Sequence, residues 1–329
     1  MKIGIPRALF YFRYGRFWEH FFSNLDIDTL ISPKTNKQIL EQGLKKVSSE
    51  ICLPIKIICG HIEALKEKVD AIFLPRFVEL NNGLYTCPKM IGIVDIAQIQ
   101  VNNACKIISP KIKNNFIYAH FLTGIKLTKN PFKVRSALKQ ALPYLNTQTS
   151  SINGLITTEI SEKPEKESSA TSAVSAVKLS ANNQRPRRAK ILLLSHFYNL
   201  CDDFIGKDII TSFENYGFDI TTKEDLPATM LKIDQGFAKN IRWVYERELY
   251  NAFIYNLDKV DGMCNIISFG CGPDSLIGEI MIKEANQREV PFLQLIIDEH
   301  TSKTGINTRI EAFSEIIKRN YQLKPYFTN

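Results

Sequence analysis

The chain has 329 residues, of which 44% are hydrophobic and 23% are charged. This composition is typical of a globular protein, and the length suffices for two domains that each bury a core. The net charge of +8 is modest for the size, and part of it lies in a basic run from Arg185 to Lys190. We interpret that run as a solvated linker and expect no nucleic-acid partner, although a basic chain would attract an anionic cofactor or substrate.

The N-terminal residues MKIGIPRALF do not form a signal-peptide pattern, because charge and proline interrupt the apolar run. No segment of the sequence approaches the roughly 20 apolar residues that a membrane helix needs. We therefore expect a cytoplasmic location and no membrane partner.

In the first half of the chain, residues 1–145, short apolar runs alternate with amphipathic segments. We predict strands at residues 2–5, 29–32, 71–74 and 116–119. Helices are predicted through Phe17 and Phe22, over residues 36–46 with Thr35 as the N-cap, and from Pro54 to Leu65.

The second half, residues 189–329, repeats this plan. We predict strands at residues 190–194, 218–222, 262–269 and 291–297. Helices are predicted from Ile205 to a stop at Gly217, and over residues 241–256, 273–285 and 308–318. Strands that alternate with helices indicate parallel sheets. The predicted fold is therefore α/β, with two Rossmann-like (flavodoxin-like) lobes and a cleft between them.

Residues 146–188 separate the halves and differ from both in composition. They are rich in Ser, Thr, Ala, Asn, Glu and Lys and contain no aromatic residue. Such a segment cannot bury enough apolar surface to offset the entropy of ordering it. We predict a flexible connector between an N-terminal lobe, residues 1–145, and a C-terminal lobe, residues 189–329.

Seven cysteines are present, and no two of them form a CxxC pair. An odd number in a reducing cytosol argues against disulfides, and the spacing supports no zinc ribbon, ferredoxin-type run or thioredoxin motif. Three cysteines nonetheless share one feature, a proline one or two residues later. They are Cys52, Cys87 and Cys271.

Proline favours the first turn of a helix, because its φ is preset and it has no N–H. We therefore place Cys52 and Cys271 just before helices, where the partial positive charge of the helix end would stabilise a thiolate, the form that binds metal. Cys271 also follows a predicted strand, at the sheet edge where α/β proteins bind ligands. Ordinary burial of the cysteines is the simpler alternative. A zinc site with Cys59 and His61 as further ligands is another.

Four parts of the sequence together resemble one known family. They are IGIPRAL from residue 3, CLPIK from residue 52 with GH at residues 60–61, FGCGPDS from residue 269, and IDEHT from residue 297 with TRIEAF from residue 308. These segments are similar to those of the acyl-CoA dehydratase activase-related proteins. That family is related to the D-component of the 2-hydroxyacyl-CoA dehydratases and to the benzoyl-CoA reductases.

The resemblance implies a cofactor and a partner. Two early cysteines and one late cysteine, matched here by Cys52, Cys87 and Cys271, would hold a 4Fe–4S cluster, or half of a double cubane, between the lobes. The fourth iron position would be left for a small-molecule substrate, and an ATP-hydrolysing iron–sulfur activator protein would supply low-potential electrons. The sequence contains no GxxxxGK[ST] loop, so ATP chemistry would belong to that partner.

Two sets of polar residues are further candidates for the site. Three follow a predicted strand, and they either transfer protons as catalytic residues or orient their loop by hydrogen bonds and an ion pair: Asp298, Glu299 and His300. Three others are candidates for contacts with the substrate or the metal centre: Arg7, His61 and His196.

The leading hypothesis is an iron–sulfur electron-transfer protein or reductase component, working as a homo- or heterodimer. One rival is a non-catalytic scaffold or regulator of the activator. The other is a zinc-stabilised α/β protein without a redox role. Colour separates them, because anaerobically purified protein would be brown under the leading hypothesis and need not be under either rival.

Overall fold

The structure is a computed structural model that describes residues 1–81, 83–145 and 188–323. The predicted connector, residues 146–188, lies outside the described residues except for Arg188. Its predicted flexibility, and the domain limits drawn from it, therefore stay predictions.

Strands and helices alternate along both described parts of the chain. The strands are β1 (Lys2–Ile5), β2 (Asp28–Ile31), β3 (Ala71–Phe73), β4 (Arg76–Asn81), β5 (Leu84–Tyr85), β6 (Lys106–Ile108), β7 (Lys111–Lys113), β8 (Lys190–Leu194), β9 (Asp219–Thr222), β10 (Gly262–Ser268) and β11 (Phe292–Ile297). The helices are α1 (Tyr11–Ser23), α2 (Lys37–Leu44), α3 (Leu53–Leu65), α4 (Pro88–Val101), α5 (Phe116–Thr128), α6 (Pro131–Ala141), α7 (Phe197–Leu200), α8 (Lys207–Asn215), α9 (Ala228–Leu231), α10 (Val244–Asn256), α11 (Gly272–Gln287) and α12 (Lys303–Leu323).

Two four-stranded sheets, both entirely parallel, carry most of the strands. The first has the order β2-β1-β3-β6, and the second has the order β11-β10-β8-β9. If the strands are renumbered within each sheet, both orders read 2-1-3-4, which is the beginning of the flavodoxin-like order. The prediction of an α/β fold with parallel sheets is confirmed, and the two halves share one topology.

A third, small sheet follows β3. Strands β4 and β5 pair antiparallel as a hairpin, and β7 joins β4 in parallel. The hairpin was not predicted, because its strands are short and β5 has only two residues. It matters for the site, because the chain leaves β5 and enters α4 at Cys87.

Aromatic and charged side chains join the first half of the chain to the second. Phe10 stacks on Phe77 at 3.8 Å between ring centroids and also approaches Phe197, at 6.3 Å. The guanidinium of Arg13 lies 4.3 Å from the centre of the Phe197 ring and pairs with Glu224 at 2.9 Å. The three phenylalanines belong to one continuous hydrophobic cluster that includes residues of both sheets.

The predicted strand at residues 116–119 is wrong, because these residues begin helix α5. The side chain of Asn115 accepts a hydrogen bond from the backbone N–H of Tyr118 and so caps the helix. A short apolar run fits either a buried strand or a helix, and here it is the first turn of a helix of 13 residues.

Two predicted helix starts also differ from the structure. Helix α2 is capped by Asn36, whose side chain accepts from the backbone N–H of Ile39, and not by Thr35. The last helix was predicted to begin at residue 308 but begins at Lys303. Among the described residues, no helix combines the length and the hydropathy that crossing a membrane requires.

Candidate metal centre

Cys52, Cys87 and Cys271 occupy the same position in three different helices. Each is the N-cap residue, directly before α3, α4 and α11 respectively, and each helix has proline at its first or second position. The backbone of all three cysteines is extended, as an N-cap requires. The sequence predicted this for Cys52 and Cys271, and the structure adds Cys87.

The three cysteines line one pocket, here named the cysteine pocket. Its other lining residues are Leu9, Pro54, Ile55, Met90, Tyr198, Ser268 and Asp274. The space between them is about 290 Å³, including the part open to solvent. Cys52 and Cys271 are only 7% and 8% exposed. Residues far apart in sequence thus bring three thiols together in a largely apolar environment.

Gly270 lets the two cysteine-bearing loops come this close. Its φ is +76°, and a Cβ placed on it would lie 2.7 Å from the carbonyl oxygen of Glu50, next to the backbone of Cys52. The carbonyl oxygen of Gly270 accepts a hydrogen bond of 2.6 Å from Nζ of Lys89, on the first turn of α4. The loop before Cys271 is therefore held against the segments that carry Cys52 and Cys87.

Burial is the largest influence on the three thiols, and it raises the pKa of each. The pKa of Cys87 rises to about 12, and that of Cys271 rises further. The pKa of Cys52 is also raised by burial, although the charge of Lys89 and the backbone N–H of Ile55 oppose the shift. The backbone N–H groups at the helix starts do lower the pKa of each thiol, as the sequence suggested, but burial outweighs them in the free protein. The donors fit a soft metal centre, whose positive charge would compensate the buried thiolates.

A buried polar cluster adjoins the pocket. Nε2 of His196 lies 2.8 Å from Oδ1 of Asp274 and 3.8 Å from Oε1 of Glu246. Burial opposes a charge on His196, but the two carboxylates outweigh it, so its pKa is raised. Burial raises the pKa of Glu246 to about 7. Of the six polar candidates, the structure brings His196 to the site.

Asp274 is a site residue that sequence reasoning missed. The N-terminal position of its helix explains an acidic residue there by the helix dipole alone. In the structure, Asp274 lines the cysteine pocket, and its carboxylate, the sulfur of Cys271 and a ring nitrogen of His196 lie within 4.8 Å of one another. The available signal was the spacing, because the N-cap residue and the third helical residue face each other.

His61 lies in a buried hydrogen-bond chain, away from the lining of the cysteine pocket. The hydroxyl of Thr35 donates to Asp202 at 2.5 Å, so its oxygen accepts from Nε2 of His61, at 3.1 Å. Nδ1 of His61 then accepts from the hydroxyl of Ser32, at 2.8 Å. Burial lowers the pKa of His61 to about 3, so it remains neutral. This series of hydrogen bonds links α3 to the loop that follows α7.

Arg7 also lies elsewhere. Its backbone N–H donates to Oγ of Ser32, and its side chain lines a second, polar pocket with Lys34, Asp202 and Asp203. Neither Arg7 nor His61 is among the described residues that line the cysteine pocket. Cys59, a zinc ligand in the alternative interpretation, is fully buried in α3 and is likewise absent from that lining.

The loop formed by Asp298, Glu299 and His300 makes contacts that order it. Oδ1 of Asp298 accepts hydrogen bonds from the backbone N–H of His300 and from the hydroxyl of Thr301. Glu299 forms an ion pair of 2.6 Å with Lys56, which is only 1% exposed. None of the three is among the described residues that line the cysteine pocket. These contacts account for the ordered conformation of the loop, and a catalytic role for its three residues stays a prediction.

The fold and the site define an α/β protein with parallel sheets and a buried pocket that carries three cysteine donors. Residues 2–226 match the family of the CoA enzyme activase uncharacterised domain (DUF2229). This is more than half of the chain, so the protein belongs to that family and is activase-related, as the resemblance implied. Cys52 and Cys87 lie within the matched part, and Cys271 lies beyond it. No curated protein matches the sequence.

Proposed function

We propose that Cys52, Cys87 and Cys271 ligate an iron–sulfur cluster, either 4Fe–4S or half of a double cubane. The protein would be an electron-transfer protein or reductase component of the 2-hydroxyacyl-CoA dehydratase type. The observation that carries this proposal is that three cysteines from distant parts of the chain line one buried pocket, each at the N-terminus of a helix.

The residues around the thiols suit an anionic centre. Each of the three cysteines is the N-cap residue of a helix, and the partial positive charge of a helix N-terminus favours a thiolate. Lys89 adds a positive charge beside Cys52. Leu9, Ile55 and Met90 limit the access of water. When bound, a cluster supplies the ability to accept and release one electron at a time.

The proposed partners follow from the family. An ATP-hydrolysing iron–sulfur activator would deliver low-potential electrons, and a small substrate would receive them at the fourth iron position. The membership in a CoA enzyme activase family supports a place in the activation of a dehydratase component. We further propose that the two halves of the chain form lobes, with the metal centre in a cleft between them.

Two rivals remain, and one observation favours each. The family match to an activase domain favours a scaffold or regulator of the activator, without catalysis of its own. The imidazole and carboxylate beside Cys271 favour zinc, which accepts nitrogen, oxygen and sulfur donors together.

Anaerobic purification followed by iron, zinc and acid-labile sulfide analysis tests the proposal. The wild-type protein should contain iron and sulfide and absorb in the visible range. Cys52→Ser, Cys87→Ser and Cys271→Ser should each lose most of the iron, because a hydroxyl is a poor ligand for it. Zinc without sulfide in the wild-type protein, or wild-type iron content in all three variants, would contradict the assignment.

Two other cysteines provide matched controls. Cys105 and Cys201 are partly exposed free cysteines that are not part of the cysteine pocket. Their serine variants should bind the same amount of iron as the wild type. Iron loss in these variants equal to that in Cys271→Ser would show that the wrong ligands have been chosen.

A further inference from the structure

Asp274 is the acidic side chain among the described residues that line the cysteine pocket. It is the third residue of α11, one turn after Cys271, and is only 5% exposed. A carboxylate buried beside apolar groups is costly unless hydrogen bonds or a cation compensate it. Its carboxylate lies within 4.8 Å of the sulfur of Cys271, so both donors face the same part of the pocket.

His196 holds this carboxylate in place. Its Nε2 lies 2.8 Å from Oδ1 of Asp274, and its ring stacks on Tyr198 with 5.0 Å between centroids. Nδ1 of the same ring is buried and has no hydrogen-bond partner in the described part of the chain. The hydrogen bond to Asp274 and the stacking therefore determine the orientation of the ring. Carboxylates that ligate metals are commonly fixed by a hydrogen bond of this kind.

We propose that Asp274 is a fourth, displaceable ligand of the metal centre, positioned by His196. This rests on the proposed function, because three cysteines leave one iron of a 4Fe–4S cluster without a protein thiolate. A carboxylate oxygen is a harder donor than a thiolate and binds iron of a cluster less strongly. An incoming substrate can therefore replace it, so the ligand protects the fourth iron at rest and still leaves it available.

The test uses cyanide as a probe for the fourth iron. Wild-type protein and Asp274→Asn are prepared anaerobically, and cyanide is titrated into the reduced protein while electron paramagnetic resonance is recorded. Asparagine keeps the size of the side chain and an oxygen for His196 but is a weaker ligand. We expect unchanged iron and sulfide and an apparent Kd for cyanide that falls by about tenfold or more, the scale typical of altered metal surroundings.

Asp202→Asn is the matched control, since Asp202 is an equally buried aspartate that accepts from Thr35 and lines the other pocket. Its cyanide Kd should equal that of the wild type. His196→Gln should retain the cluster and lower the cyanide Kd by less than Asp274→Asn does. If Asp274→Asn does not fold, as judged by circular dichroism, His196→Gln decides by the same measurement.

The outcomes separate this inference from the proposed function. Equal cyanide affinity in the wild type and in the folded variant, with iron and sulfide intact, would overturn Asp274 as a ligand while the cluster stands. Wild-type protein without sulfide would overturn both. Tighter cyanide binding in Asp274→Asn, weaker tightening in His196→Gln and an unchanged Asp202→Asn together support the inference.

Discussion

Replacing Gly270 by alanine perturbs the contact that brings Cys271 to Cys52. The new methyl group would meet the carbonyl oxygen of Glu50 at 2.7 Å and the backbone of Cys52 at 3.4 Å and beyond. The obstacle is backbone and not the end of a flexible side chain, so a whole loop must move. The residue would also have to keep a φ of +76°, which alanine rarely adopts.

The two costs can be estimated separately. A left-handed backbone conformation costs a residue with a Cβ about 1–2 kcal/mol. Forcing a methyl group into filled space costs about 1–3 kcal/mol. Together they predict a loss of about 2–5 kcal/mol in the free energy of unfolding, a large part of the roughly 5–15 kcal/mol of an ordinary domain. If the loop moves instead, the stability loss is smaller and the metal site opens.

Denaturant unfolding and metal analysis measure both results, and Gly272→Ala is the control. A Cβ on Gly272 would meet nothing within 4 Å, and this residue lies in the first turn of α11. We expect Gly272→Ala to keep the wild-type stability and metal content. Gly270→Ala should lose stability, bound metal or both. Indistinguishable behaviour of the two variants would refute the reasoning about the close approach.

Three more predictions follow from buried groups. Lys56→Met should lower the free energy of unfolding by about 1–3 kcal/mol, because it leaves the partly buried carboxylate of Glu299 without its cation. The added change Glu299→Leu should restore part of that loss, and no restoration would contradict an ion-pair effect. Burial lowers the pKa of His120 to about 4, so its neutral form is stabilised, and stability should fall as pH drops from about 6.5 towards 4, with a slope of up to about 1.4 kcal/mol per pH unit. Unfolding curves at several pH values should show a shallower slope for His120→Gln, and an identical slope would contradict the assignment. Cys59→Ser should keep its iron per folded chain where Cys271→Ser loses it, because Cys59 lies two turns inside α3, and comparable loss would mean that Cys59 is a ligand.

Local sequence features predicted the elements whose limits depend on local causes. The strands Lys2–Ile5 and Lys190–Leu194 were predicted at their observed bounds, because apolar runs between breaks in the pattern indicate buried parallel strands. The helix starts after Cys52 and Cys271 followed from proline. The start of α5 was missed, because an apolar run of a few residues does not distinguish a strand from a helix.

The metal centre, too, has features that local sequence predicted and features that it did not. That Cys52, Cys87 and Cys271 share a following proline is visible in the sequence, and so is the place of Cys52 and Cys271 before helices. The helix after Cys87 came only from the structure. That they meet depends on Gly270 packing against Glu50, residues from opposite halves of the chain. The family resemblance predicted that the three cysteines meet, but the spacing of the cysteines in the sequence did not.

What the sequence by itself determined is therefore the alternation of strands and helices and the positions of Cys52 and Cys271 at helix starts, since these depend on neighbouring residues. Only the tertiary structure decided that Asp274 and His196 lie beside the cysteines, and that Lys56 pairs with Glu299 across 243 positions of sequence. It also decided that His61 serves a buried hydrogen-bond chain and that the thiols resist ionisation. The physical reason is that burial and long-range contacts depend on how the two sheets pack, which no local pattern specifies.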